Sequence, residues 1–528
     1  MSPTPGWPAS SGLVHDPDDR MSTGQPPWRA ERALTRVVIS TMSPIAPKRT
    51  SRGRREAIVS AAAAASAVAS IDAGKSPASV VGAGSRVVEV VEVVEVVEVA
   101  VSGGMALDDS RSGALQLGYH VRLQSFVAKM LTPETSLSDS MSQAPQGAQL
   151  FTPLQLRGIT SRNRIVISPM CQYSAQDGFA NDWHFVHAGK FAQGGAGIVF
   201  LEATAVLDDG RITHGDLGLW RDEQIAELAR IAAFLRGQGA VPAIQLGHAG
   251  RKSSMSRPWE GNGPLTPELI ASGSIPWQTI APSAEPIGPG WMTPRAMDEA
   301  DLARVREAFG AAARRAVTAG FDVAEVHAAH GYLLHSFLSP LSNKRTDRYG
   351  GDLEGRMRFP LEVARIVRQA WPEDKPVFFR CSSVDNDAAG WSIDDSVALA
   401  RRLVEIGIDV VDCSSGGIAG SATAAATAPR GLGFQVPFAE RIRRDTGIAT
   451  MAVGLIIEPA QAEAVLADGK ADLVAIAREA LYDPNWPLHA AALLGADQDF
   501  GAWPKQYGWW LTRRESVLRD LGVRPPLR

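Results

Sequence analysis

The chain has 528 residues, and its 53 Lys and Arg nearly balance 57 Asp and Glu, which excludes the charge excess of a nucleic-acid or membrane-surface protein. No apolar run reaches the roughly 18 residues that a membrane-spanning helix needs. The three cysteines, Cys171, Cys381 and Cys413, stand singly, so neither a disulfide framework nor a zinc cluster is indicated, and a reducing, cytoplasmic compartment is the default.

Residues 1–145 hold the Ala-rich tract Ala61–Ala69 and the triplet repeat Val87-Val-Glu-Val-Val-Glu-Val-Val-Glu-Val-Val-Glu-Val99. A period of three matches neither the strand's two nor the helix's 3.6, so it sorts no inside from an outside. We expect a low-complexity or disordered leader, with Met141 the natural start. The leader lacks a basic segment followed by an apolar core, so no targeting role is indicated.

From residue 146 onward, apolar strand-like runs alternate with amphipathic helical patterns. The runs are 164–168, 197–202, 241–246, 321–326, 376–380, 408–412, 449–454 and 471–477. Their continuous apolar character suits parallel strands buried on both faces. Between the third and fourth runs, Asp298 is placed to cap a helix over Glu299–Thr318, closed by Gly320. Eight such units predict a (β/α)₈ TIM barrel over residues 146–511, followed by a C-terminal extension, 512–528. A doubly wound open sheet is the alternative, but no run leads into Gly-x-Gly-x-x-Gly. The Pro-, Gly- and Trp-rich stretch 253–291 after the third strand, with Trp259, Trp277 and Trp291, reads as a lid insertion.

A barrel concentrates reactive residues at the C-terminal ends of its strands. The ends carry Ser168-Pro-Met-Cys-Gln-Tyr173, Glu202-Ala-Thr204, Gln245 with His248-Ala-Gly-Arg-Lys252, His327-Ala-Ala-His-Gly-Tyr332, Arg380, Asp412-Cys-Ser414, Gly454 and Arg478. The fourth end is the most telling, because two imidazoles and a phenol emerge together where the strand gives way to a loop. His327 and His330 read best as hydrogen-bond donors to an anionic or carbonyl oxygen. A metal pair and satisfied structural histidines are the alternatives. His184 and His187, three apart in a helical pattern, read as structural. Arg380, inside an apolar run, requires an anion or an electron-rich ring beside it, or an internal partner such as Asp412. Gly454 and Arg478 suit a phosphate at the loops after strands seven and eight. Cys171 has no local base to make it a nucleophile.

Four motifs, Ser168 to Tyr173, Gln245 to Lys252, His327 to Leu333 and Ser339-Pro-Leu-Ser-Asn343 with Arg345-Thr-Asp-Arg-Tyr-Gly-Gly351, resemble the Old Yellow Enzyme family. They are most similar to its bacterial YqjM-like and xenobiotic-reductase-like branch. The resemblance implies bound FMN, NADPH or NADH as hydride donor, and activated alkenes as substrates. It also implies a homo-oligomer, dimer or tetramer, with no metal, nucleic-acid or membrane partner. Ser168, Pro169, Met170 and Cys171 would line the flavin. Ala203 and Gln245 would contact its ring, Arg380 would stabilise negative charge near N1, and Gly454, Ala477 and Arg478 would hold the phosphate. His327 and His330 would hold the substrate oxygen, Tyr332 would protonate the α-carbon, and Tyr173 would add a second hydroxyl. We further expect Trp486 to wall the pocket and Trp509 or Trp510 to cap it from its own or a neighbouring chain. Flavin-free phosphate-binding lyases or isomerases, and a flavin sensor without turnover, are the competing classes.

Overall fold

The computed structural model describes residues 147–419 and 430–523. The leader 1–145, the expected start at Met141 and positions 524–528 of the extension lie outside the described residues.

An antiparallel hairpin, β1 (Leu154–Leu156) and β2 (Ile159–Ser161), precedes the barrel. Eight parallel strands then close on themselves: β3 (Ile165–Ile167), β4 (Ile198–Ala205), β5 (Val241–Gly247), β8 (Val323–Ala328), β9 (Val377–Ser382), β10 (Val410–Ser414), β11 (Ala449–Ala452) and β12 (Leu473–Ile476). β12 pairs back to β3, so no edge is left open. Helices separate successive strands, and the predicted Glu299–Thr318 is found with those bounds. Its Asp298 carboxylate accepts the Asp301 N–H at 2.8 Å, satisfying one of the first-turn donors that a helix cannot use itself.

The period of two along each strand divides the core in two. Val166, Ile198, Phe200, Val241, Ala243, Val323, Phe378, Val410, Met451 and Leu473 pack together inside the barrel, and Leu156 of the hairpin joins them. The alternate residues, such as Ile165, Val199, Ile244, Ala324, Val326, Phe379 and Val411, pack outward against the helices.

The insertion after β5 carries the helix Pro267–Ala271 and two short strands, β6 (Ile280–Ala281) and β7 (Arg295–Ala296). Trp277 donates its indole N–H to the Asp209 carbonyl at 2.9 Å. Trp259 meets Tyr173 edge-on at 5.9 Å. Trp291 packs against the cluster of Tyr173, Ile212, Ala249, Met255 and Tyr332.

Two strands lie two residues later than their apolar runs suggest. The run 321–326 becomes β8 over Val323–Ala328, and 408–412 becomes β10 over Val410–Ser414. Phe321 and Asp322 belong to the turn entering β8, where Arg236 and Lys375 hold the Asp322 carboxylate at 2.9 and 2.8 Å. His327 is therefore a strand residue, paired with Arg380 across β8 and β9; only His330 and Tyr332 belong to the following loop. A single helix, Lys505–Asp520, runs across the 511/512 boundary expected for the tail.

Candidate active site

The inward faces of three adjacent strands stack in levels. Val323, Phe378 and Val410 lie in the inner apolar cluster. Two residues further along the same faces come Glu325, Arg380 and Asp412, and two further still His327, Ser382 and Ser414. An apolar floor thus changes to a polar level within one strand repeat.

The polar level is internally bonded. The Gln245 amide donates to Glu325 Oε1 at 2.8 Å, Arg380 Nε lies 3.1 Å from Asp412 Oδ2, and Arg380 Nη1 donates to Ser168 Oγ at 2.9 Å. The internal partner considered for Arg380 is therefore present, and a second arginine nitrogen reaches Ser168. Ala203 pairs with Gln245 because a register shift between Leu201 and Ala203 takes Glu202 out of the ladder. Glu202 meets His184 Nε2 at 3.1 Å and accepts the Gln172 N–H at 2.7 Å. His184 also closes the capping box of the helix Asp182–Gln193, a structural duty. Burial holds His187 down at about 3, so it is neutral.

The next level up holds the three rings. His327 and His330 have ring centroids 5.1 Å apart at 87°, and His327 and Tyr332 5.0 Å apart at 86°. The Ala329 N–H donates to His327 Nδ1 at 3.3 Å, which leaves the ring proton on Nε2. His330 Nε2 sits 2.7 Å from Ser414 Oγ, and that hydroxyl accepts the Gln435 amide at 3.1 Å. The Ser414 hydrogen is then free for His330 Nε2, placing the His330 ring proton on Nδ1. Burial, with Arg380 next in importance, holds both imidazoles well below their ordinary range. They are neutral donors.

The loop carrying these rings is bent tightly. His330 has φ +61° and Gly331 φ +76°, and a Cβ on Gly331 would sit 2.2 Å from the Gly417 carbonyl oxygen. The Ser382 hydroxyl accepts the His330 N–H at 2.9 Å. Lys252, fully buried, donates to the His330 carbonyl at 2.8 Å and also to the Gly417 carbonyl. His335, paired with Asp385 at 2.9 Å, accepts the Gly331 N–H at 2.8 Å.

One hollow is lined by His327 and a second by His330. The smaller is lined by His327, Tyr332, Ala203, His248 and Asp216. The larger, about 1120 Å³ of empty space partly open to solvent, is lined by His330, Arg380, Ser414, Gly454, Ala477 and Arg478 among others. Gly454 has φ +113°, and a Cβ there would lie 2.7 Å from the Gln435 amide oxygen, so glycine is required. Arg478 is exposed at the rim, with no carboxylate partner among the described residues. A free guanidinium, a glycine turn and a buried arginine–amide level fit a planar, phosphate-bearing cofactor. Pro169, Met170 and Cys171, half-buried, follow β3 at the same end. Burial, reinforced by Glu202, pushes the Cys171 thiol well up, which keeps it protonated. Tyr173 is buried at φ +52°.

Neither Trp486 nor Trp510 is among the residues lining the two hollows. Trp486 is buried and donates its indole N–H to the Ile457 carbonyl at 2.7 Å, behind the loop after β11. Trp510 is 66% exposed on the terminal helix, edge-on to Trp509 at 4.5 Å. Among the described residues, no group of three His, Cys, Asp or Glu side chains stands ready for a metal ion. Sequence reasoning passed over Glu325 and Ser382, and gave Ser414 and Lys252 a place at the strand ends but no role. Glu325 was open to discovery, because it stands two residues before His327 and so shares its face.

Residues 149–495 match the model of a family described as NADH:flavin oxidoreductase / NADH oxidase. An NADPH dehydrogenase of Geobacillus sp. (strain WCH70) is 45% identical over 348 residues, covering 66% of this chain and 94% of that protein. Among solved structures, morphinone reductase is 28% identical with a TM-score of 0.55, over 67% of this chain and 92% of its own. A 2-naphthoyl-CoA reductase complex, 23% identical with a TM-score of 0.58, shares the fold; the match spans about half, 53%, of that chain.

Proposed function

The chain belongs to the NADH:flavin oxidoreductase / NADH oxidase family and is an FMN- and NAD(P)H-dependent oxidoreductase of the Old Yellow Enzyme type, and from that premise we propose that its electron acceptor is an activated alkene, an α,β-unsaturated carbonyl or nitro compound. The observation that carries the reading is the ring trio of His327, His330 and Tyr332, two neutral donors and a phenol within about one ring contact of each other.

Ser168, Pro169, Met170, Cys171, Ala203, Gln245 and Arg380 would hold the FMN ring, and Gly454, Ala477 and Arg478 its phosphate. Bound FMN supplies the hydride that passes from the nicotinamide to the alkene β-carbon. His327 Nε2–H and His330 Nδ1–H donate to the substrate oxygen, where charge builds as the β-carbon is reduced. Because both rings are preorganised and dry, their dipoles act without reorganising at the moment of reaction. Tyr332 gives its phenolic proton to the α-carbon as general acid, and Tyr173 brings a second hydroxyl to the substrate side. Trp259, edge-on to Tyr173, bounds that side from the insertion. In the proposed assembly Trp510 reaches a neighbouring copy's site.

The test is anaerobic reduction of FMN-loaded protein by NADPH and by NADH, followed by reoxidation with cyclohexenone, maleimide and a nitro ester. Reoxidation by the enones, lost in His327→Ala and slowed in Tyr332→Phe, is expected. A reduced protein that only oxygen reoxidises would sink the alkene reading.

A further inference from the structure

The polar level holds two buried carboxyls and one guanidinium. Glu325 and Asp412 are fully buried and Arg380 nearly so. Among the described residues, Asp412 has no hydrogen bond on either oxygen and one close cationic partner, Arg380 Nε at 3.1 Å, and Glu325 Oε2 has no hydrogen bond either. Uncompensated carboxylates cannot persist in such a place, so ionisation follows charge balance. The groups facing the pair are few. β5 presents the Gln245 amide, β8 presents His327 one level up, and β9 presents Arg380. The remaining nearby carboxylate, Glu202 on β4, is turned away to His184. Below lie Phe200, Phe378 and Val410.

We propose that Asp412 takes up one proton when the cofactor bound over Gln245 and Arg380 is reduced, releasing Arg380 to the cofactor's new negative charge, while Glu325 stays protonated throughout. The charges close in both states. Before reduction, Arg380⁺ balances Asp412⁻ and Glu325 is neutral. Hydride transfer from the nicotinamide, the group oxidised, brings two electrons and one proton and leaves one added negative charge. One further proton enters from solvent onto Asp412, so Arg380⁺ then balances the cofactor. Asp412 is a positioning residue, acting through Arg380. The titration ranges agree with this order: burial pushes Asp412 up to about 6 against the pull of Arg380, and burial with Asp412 pushes Glu325 well above the carboxylate range. The inference rests on the flavin reading, not on the alkene.

The experiment is the midpoint potential of the FMN-loaded protein against pH, read with mediator dyes. Each proton taken up per two electrons lowers the potential by about 30 mV per pH unit. The unaltered chain is expected to fall by about 60 mV per unit near neutrality, and Asp412→Asn by about 30. Glu325→Gln, a mimic of the neutral acid, keeps the steep slope. Equal slopes in the unaltered chain and Asp412→Asn, or a shallow slope in Glu325→Gln, overturn the proposal. Should Asp412→Asn fail to fold, the reduced-minus-oxidised infrared spectrum of the unaltered chain decides. A new protonated-carboxyl band that shifts in D₂O supports uptake, and its absence in fully reduced protein overturns it. No alkene enters these measurements, so a protein that no enone reoxidises loses only the substrate reading.

Discussion

Tyr332 shows how a single side chain is made dependent on its surroundings. Burial pushes its phenol well above the ordinary range, with Cys171 and Asp216 adding to the effect, so it keeps its proton, as the proposed protonation of the α-carbon requires. We expect Tyr332→Phe to slow alkene protonation by about 10²–10⁴-fold and to leave reduction by NADPH unchanged, as stopped-flow traces of the two half-reactions would show. Lys252 gives a stability prediction. Burial, with Arg251 beside it, pushes its ammonium down to about 7. Between about 7 and the ordinary lysine value near 10.4, the unfolded chain binds the proton and the folded chain does not, so this group makes stability rise with pH across that window. Lys252→Met should therefore lose part of the rise in urea midpoint between pH 7 and pH 9; equal rises in both proteins would remove Lys252 from the account.

Elements explain what was legible. The helix over Glu299–Thr318 was read to the residue because Asp298, the apolar spacing and Gly320 all agree, and the same agreement makes Asp298→Ala cost about 1 kcal/mol of stability, measurable by denaturant unfolding. Strands were legible as apolar runs but not in register. Gly-Phe-Asp before β8 looks like strand until Arg236 and Lys375 are seen to hold Asp322 in the turn. A two-residue slip leaves the strand's faces unchanged, so the shared face of Glu325 and His327 was legible; what only the ladder reveals is the pairing of His327 with Arg380. The loop after β8 was legible as chemistry and not as shape. Gly331→Ala is expected to lower kcat/KM for enones while FMN binding holds, since the Cβ would strike the Gly417 carbonyl and displace His330 and Tyr332. Trp486 was legible as a tryptophan and not as a position. Composition marks a tryptophan as a wall, but only packing tells which room it walls, and here it backs the Ile457 loop.

At the scale of the whole molecule, the family match begins at residue 149, and a chain started at Met141 is expected to bind FMN and unfold at the same denaturant midpoint as the full-length chain. Trp510→Ala should change enone KM only under conditions where the protein is oligomeric, a dependence that sedimentation alongside kinetics would expose. The apolar floor reaches furthest. The hairpin's Leu156, with Leu154 and Ile159 against it, plugs the end of the barrel opposite the ring trio. The hollows beside His327 and beside His330 lie at the other end. In the proposed reading, nicotinamide and alkene both enter at that end, over the same ring trio, and would take turns there. Double-reciprocal plots at varied donor should run parallel, and excess of either partner should block the other's entry.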